Sequence, residues 1–480
     1  MMRSLYAGVA GLKTHQTRMD VIGNNIANVN TTAYKSQSMT FSDLMYQTTQ
    51  SASGANATTG VGGVNARQIG LGAKTGAIKT AISGQGASQT TNDPFDIMIT
   101  GDAFFVVSNG ADNFFTRDGS FYVDGKGNLA MTSNGYNVMG WQAVEDETGK
   151  LAIKEDTVSA LRIMTDVNMT YPPEETSKAT VSGIVDAKDN DVNAPSGKIM
   201  NLEIYDRQGY KYTARFSVHS VNGDGTKGDF YVKMDDLLDV DGKSILTDAN
   251  RAGVTFGSGA TELTDNSTTA AAITGATNSA YLKFVEGQGT FDYVSTTGLE
   301  TDDTFENKVA TITFDQDAFP QFANIDIDFS ATSNYNNNKA STINAVAGDS
   351  ANAGAGSGRK IGEMSGIAIQ KDGMIYASYD NGQSRLLGQI ATASFANASG
   401  LAKEGDNLYS ATQNSGDFDG IGSDITVGGG YMNTGVLEMS NVDLSAEFTE
   451  MITTQRGFQA NSRIITVSDT LLEELTNLKR

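Results

Sequence analysis

Two stretches at opposite ends of the chain carry apolar residues at helical spacing, while the region between them breaks into short apolar runs separated by Gly, Asn and Asp. Near the start, Leu5, Leu12, Met19 and Ile26 recur every seven residues, with Val9, Ile22 and Val29 filling the three- and four-residue steps. Near the end, Leu444, Met451, Phe458, Ile465 and Leu472 form a second column, flanked by Phe448, Ile452, Leu475 and Leu478. No Pro interrupts either stretch. Helices of roughly 40 Å and roughly 50 Å are therefore predicted within residues 1–35 and 437–480, at about 1.5 Å per residue. Such a stripe most often packs on its own domain's core. Here the stripes sit at the termini, where an isolated chain frays, and alternate positions of the second seam are polar, at Gln455, Ser462 and Asp469. The expectation is a seam shared by several copies, not a coiled coil closing one molecule.

The interior reads as β structure. Runs at 96–99, 103–107, 114–117 and 120–123 are divided by Gly101-Asp102, Asn109-Gly110, Asp118-Gly119 and the Asp124–Asn128 cluster, all turn-forming. A matching block returns at about 355–436, with strands predicted at 367–369, 375–379 and 386–391 around Asp372-Gly373 and Asn381-Gly382. Two separated blocks can form one domain when the residues between them are an insertion whose ends return close together. Within that insertion, residues 202–218 predict a hairpin turning near Asp206 to Gly209, and Ile325-Asp326-Ile327-Asp328-Phe329 alternates with one apolar and one acidic face. Residues 36–92, low in charge and dense in Gln, Ser, Thr, Ala and Gly, read as a linker or extended arm.

Several motifs carry a resemblance. Ser4-Leu5-Tyr6-Ala7-Gly8-Val9-Ala10-Gly11-Leu12, then Asn24-Asn25-Ile26-Ala27-Asn28 followed by Thr32, Ala33, Tyr34 and Lys35, resembles the N-terminal signature of the bacterial flagellar rod and hook family. Ala33 stands where that family often has Gly or Pro, and Ala tolerates fewer backbone angles at a turn. Residues 93–107, Thr116-Arg117-Asp118-Gly119-Ser120-Phe121 and Gly140-Trp141 resemble the family's first β domain. Phe395-Ala396-Asn397, Gly400-Leu401, Gly405–Tyr409, Thr412 and Ser415-Gly416 resemble its distal marks.

The resemblance implies a multidomain α+β fold. Terminal helices (1–35 and 437–480) form a coiled-coil-like inner domain, 36–92 a spacer arm, 93–170 with 359–436 a first, mainly antiparallel β domain, and 171–358 an outer β domain inserted in it. Length and the insertion point to the hook branch, because the related distal rod protein is much shorter. The implied function is a structural subunit of the flagellar hook, polymerising into a flexible curved tube that transmits torque from rod to filament. Its implied partners are copies of itself, the rod, hook-cap and hook–filament junction proteins, and the flagellar type III export apparatus. The implied location is the extracellular hook, reached without a cleaved signal peptide. The subunit interface is expected at Leu5, Val9, Leu12, Met19, Ile22, Ile26, Val29, Leu444, Phe448, Met451, Ile452, Phe458, Ile465, Leu472 and Leu475, and the family signature at Asn24, Asn25, Ala27, Asn28, Thr32, Tyr34 and Lys35. Two alternatives stand beside it: a distal rod or other axial subunit, and a secreted β-rich adhesin or enzyme.

Composition narrows the chemistry. The 480 residues exceed what one core usually supports, so two to four domains are expected. A formal charge of −22 repels nucleic acid, and no run of apolar residues is long enough to span a bilayer. Ser4, Gly8 and Gly11 break the apolar content of the first residues, which argues against a cleaved signal. With no Cys, thiolate metal sites, Cys nucleophiles and disulfides are excluded. Only His15 and His219 could serve as imidazole bases, and no acidic pair sits in a recognisable catalytic setting, so no enzyme activity is expected. Gly70-Leu71-Gly72-Ala73-Lys74-Thr75 lacks the first Gly of a phosphate loop, with Gln68 in its place, and no cofactor is expected. Asp239-Val240-Asp241-Gly242 lacks a first calcium ligand at Leu237 and has Asp248 at its end; in Asp189-Asn190-Asp191-Val192-Asn193, Ala194 replaces the needed Gly and Met200 the final acid. Both read as solvated turns, and no metal site is expected.

Overall fold

The computed structural model describes residues 2–477 apart from 55–59, 61, 147–149, 222–227, 248–249, 260, 266–270, 274–275, 299–305 and 353. Asp248 and Leu478 lie outside the described residues. The chain divides into two compact units, one of Met1–Asn168, Ser365–Ser378 and Ser384–Arg480, the other of Met169–Met364 and Tyr379–Gln383.

In the first unit, the stripes form helices at Met2–Ala27 and Leu444–Asn477. The second helix starts at Leu444, not 437, because Val436–Glu438 is a strand paired with Ser88–Thr90 and Asp443 then caps the helix, its Oδ1 accepting from Ser445 N at 2.9 Å. The first stops at Ala27, where Asn28 Nδ2 donates back to Asn24 O at 2.9 Å and turns follow. The helices run antiparallel against each other. Gly8 faces Ile465 and Asn461, Gly457 faces His15, and Asn25 reaches Glu447 at the far end. The seam is thus closed within one molecule, contrary to expectation, because the sharp turn after Ala27 and the cap at Asp443 let the two ends meet.

Residues 37–50 and 67–80 form an antiparallel ribbon of two successive strand pairs. Gln37–Asp43 pairs with Ala73–Thr80 and Tyr46–Gln50 with Arg67–Gly70, with most side chains exposed. Gly70 to Thr75 therefore lies in a ribbon and not in the strand-to-helix setting that a phosphate loop needs. The main sheet interleaves distant segments: Asn137–Glu145 pairs with both Phe104–Ser108 and Ser384–Ile390, and Asn113–Thr116 pairs with Leu408–Ser410. Its core holds Phe104, Val106, Phe115, Leu401 and Tyr409.

The second unit is a β-sandwich of two five-stranded sheets. Lys198–Tyr205, Lys211–Ser220, Asp229–Leu238, Ser279–Phe284 and Phe291–Ser295 form an antiparallel meander, and the hairpin turns between Tyr205 and Lys211 as the pattern predicts. The other sheet is antiparallel except where Lys178–Ile184 runs parallel to Ile325–Ser333. Ile325, Ile327 and Phe329 point into a core shared with Leu202, Phe216, Val218 and Phe284, while Asp326 faces outward. This unit is inserted in the chain of the first.

The two acidic loops are turns. Asp189 Oδ1 accepts from Asp191 N at 2.9 Å and its Oδ2 from Ser341 N at 2.6 Å, and Lys198 pairs with Asp191 at 3.0 Å. Leu237 is buried in the sandwich core, and the amide of Gly242, with φ 74°, donates to Asp239 O at 2.9 Å. The Asp189 and Asp191 carboxylates thus bind backbone amides and a lysine.

Candidate assembly interface

Glu447, Met451, Thr454, Phe458, Asn461, Ile465, Ser468 and Leu472 face the first helix, all at least half-buried. Apolar residues every seven positions thus alternate with Glu447, Thr454, Asn461 and Ser468, three residues after each, rather than with Gln455 and Asp469, which are exposed. Small and polar residues suit this column because the backbones approach closely. A Cβ added at Gly11 would come within 2.7 Å of Asn461 Nδ2, and one at Gly8 within 3.4 Å of Ile465. Close packing of this kind offsets the roughly 1 kcal/mol that a helical Gly costs relative to Ala. Arg18 pairs with Glu450 at 2.9 Å on the rim. Burial, reinforced by Arg18, holds the His15 imidazole below its ordinary range, and its ring meets Phe41 edge-on at 5.5 Å.

The signature residues build one polar cluster. Asn25 Nδ2 donates to Glu447 Oε1 and to Gln37 O, both at 2.8 Å, while its Oδ1 accepts from Gln37 N at 2.9 Å. Asn24 Nδ2 donates to Tyr34 Oη at 3.1 Å, and Thr31 Oγ1 to Asn28 Oδ1 at 3.2 Å. Thr32 O accepts from Asn407 Nδ2 at 2.9 Å. Ala33 is buried with φ 54°, in the left-handed region that favours Gly, and its amide donates to Glu438 O at 2.8 Å.

That turn delivers Lys35 into the interior. Its Nζ bonds Glu438 Oε1 at 2.7 Å and Gly84 O at 2.8 Å, with the Lys35 and Glu438 side chains 1% and 0% exposed. Gly86 N donates to the same Oε1 at 2.8 Å, and Arg117 Nη1 stands 3.8 Å from Oε2 while its guanidinium stacks over Phe104. A Cβ at Gly86 would overlap Met439 O at 1.8 Å, so only Gly fits there. Burial draws the Lys35 ammonium below its usual range, against the pull of Glu438, and draws Arg117 down likewise. Tyr409 beside them is pushed up to about 12, chiefly by burial. The cluster ties the turn after the first helix to the strand before the second.

The expected interface residues divide into two groups. Ile22 is buried within the chain, and Leu5, Leu12, Met19, Ile26, Val29, Met451, Phe458, Ile465 and Leu472 are half-buried, whereas Val9, Leu444, Phe448, Ile452 and Leu475 are exposed. Sequence reasoning missed the roles of Thr454, Asn461, Ser468, Glu438, Arg117 and Asn407. A Gly8-x-x-Gly11 pair opposite a small-residue column was the available signal for the first three.

The comparisons with known proteins fall on these same elements. Family models match residues 5–35 (flagella basal body rod protein), 98–166 (flagellar hook protein FlgE/F/G D1 domain) and 433–478 (flagellar basal body rod FlgEFG protein C-terminal). The flagellar hook protein FlgE of Treponema pallidum is 34% identical over 504 residues, covering 100% of both chains. The chain belongs to the flagellar hook protein family. The hook protein of Borreliella burgdorferi is likewise 34% identical over 501 residues with full coverage of both, and the flagellar basal-body rod protein FlgG of Bacillus subtilis is 28% identical over 480 residues, again covering both fully. The role is that of a structural subunit of the bacterial flagellar hook. The segments that the family models match carry the helix pair, Lys35, Arg117 and Glu438 of the buried cluster, and the N-terminal strands of the interleaved sheet.

Proposed function

We propose that the chain polymerises with copies of itself into a flexible curved tube that transmits torque from rod to filament, and that it is not an enzyme. The carrying observation is on the C-terminal helix. After its seam closes on the first helix, Leu444, Phe448, Ile452, Ile464, Val467, Leu471 and Leu475 remain exposed, a series of large apolar side chains along one helix rather than the singly scattered ones normal on a monomer's surface. In this reading residues 1–35 and 437–480 form the inner tube, 36–92 the spacer, 93–170 with 359–436 the first β domain and 171–358 the outer one. The exposed members of the expected interface set, Val9, Leu444, Phe448, Ile452 and Leu475, then meet neighbouring copies, and the half-buried ones hold the helix pair that presents them.

Rod, cap and junction proteins at the ends of the tube, and export without a cleaved signal through the flagellar type III apparatus, complete the proposal. The two histidines support a non-catalytic role: His15 packs on Gly457 and Phe41, and His219 stacks on Tyr231 at 4.9 Å with Nε2 bonded to Ser217 Oγ at 2.9 Å. Electron microscopy of the purified protein tests the reading. Curved tubes are expected, and removing residues 1–30 should abolish them; assembly that survives the truncation sinks the proposal.

A further inference from the structure

The apolar residues left open on the C-terminal helix fall on two different flanks. Counted in seven-residue positions from the buried seam, Phe448 and Ile452 lie on one side of it, and Val467 and Leu471 on the other. They are 50%, 59%, 57% and 45% exposed. Val467 follows Phe448 by 19 residues, and Leu471 follows Ile452 by the same 19. One flat partner cannot cover both patches, since they face apart and stand about 28 Å from each other along the axis.

Resting on the polymer reading above, we propose that the partner is a second copy of this chain. Its C-terminal helix lies parallel to the first and is shifted by 19 residues, so that Phe448 and Ile452 of one copy pack on Val467 and Leu471 of the next. A shared four-residue step puts both pairs in register at one displacement. The charges agree with it. Arg456, one turn past Ile452, comes level with Glu474, just past Leu471, and both are exposed. Because the two patches differ and face opposite ways, each copy offers one and receives the other. Such a heterologous contact propagates instead of closing into a dimer.

The natural absence of Cys gives a clean background for cross-linking. In tubes assembled from a chain carrying both Phe448→Cys and Val467→Cys, oxidation should yield a ladder of covalent multimers on a denaturing gel. The mismatched pair Phe448→Cys with Leu471→Cys, and each single variant, should stay monomeric. Well-formed tubes of the matched pair that give only monomers overturn the stagger and leave the polymer reading standing; dimers from a single variant replace it with a two-fold contact. If the unsubstituted chain forms no tubes, the polymer reading itself fails and this contact with it. Should the Cys variants not assemble, charge reversal decides: Arg456→Glu is expected to raise the critical concentration about threefold and Glu474→Arg in the same chain to restore it, while failure to restore overturns the proposal.

Discussion

The inserted sandwich and the C-terminal helix dispose of their apolar residues in opposite ways. In the sandwich, Phe216, Phe256, Phe284 and Phe329 are fully buried and Asp326 faces out. In the helix, the buried residues are Thr454 and Ser468, and the large exposed ones include Phe448, Ile452, Val467 and Leu471. A unit that has buried its own apolar surface has its main driving force for folding already in place. On the proposed reading, a helix that buries threonine and shows phenylalanine keeps its apolar side chains for a neighbouring copy.

The sharpest test of this contrast pairs one substitution from each region. Phe329→Ala should destabilise the inserted unit by about 3–5 kcal/mol in denaturant unfolding, with tube formation by the remaining folded chain unchanged. Ile452→Ser should change the free chain by less than about 0.5 kcal/mol yet prevent assembly. Equal stability losses from the two would erase the distinction.

Lys35→Met leaves Glu438 buried with its closest cation removed and should cost about 3 kcal/mol in the first unit, while the melting of the sandwich stays put. Gly86→Ala, which forces a side chain into Met439 O, should follow at about 1–3 kcal/mol. Ala33→Gly works the other way: it relieves a left-handed alanine and should stabilise the first unit by about 1 kcal/mol, visible as a raised midpoint in urea. A loss there would mean that the turn gains more from a stiff unfolded chain than it loses in strain.

The smallest effect divides the two regions by pH. Burial lowers the pKa of His15 in the helix seam and of His219 in the sandwich from the ordinary 6.5. Each is therefore harder to protonate folded than unfolded, so its contribution is fully present above pH 6.5 and is lost as the pH falls toward the lowered folded value. His15→Gln should flatten that slope for loss of helical signal only, and His219→Gln for the sandwich only. A slope unmoved by either assigns the acid sensitivity to the carboxylates.

Much of the fold was legible in local pattern. The seven-residue columns predicted both helices, Asp206 to Gly209 predicted the hairpin, and the alternation at 325–329 predicted which face is buried, because periodicity and turn chemistry act within a few residues. The signature around Asn24 and Lys35 was equally visible as a motif, and its Ala33 departure marked a strained turn. The pairing of Lys35 with Glu438 was not visible. Nothing in a buried carboxylate's own neighbourhood names an ammonium 403 residues away.

The sequence by itself thus determined that two apolar-striped helices exist at the chain ends and that β structure lies between, since those are properties of spacing. Tertiary structure decided which face of each helix is closed. It put Thr454, Asn461 and Ser468 in the seam, where Gly8 and Gly11 allow the backbones to approach, and left Phe448, Ile452, Val467 and Leu471 open. Spacing marks a stripe, but only the partner's shape selects the side on which small residues pack better than large ones.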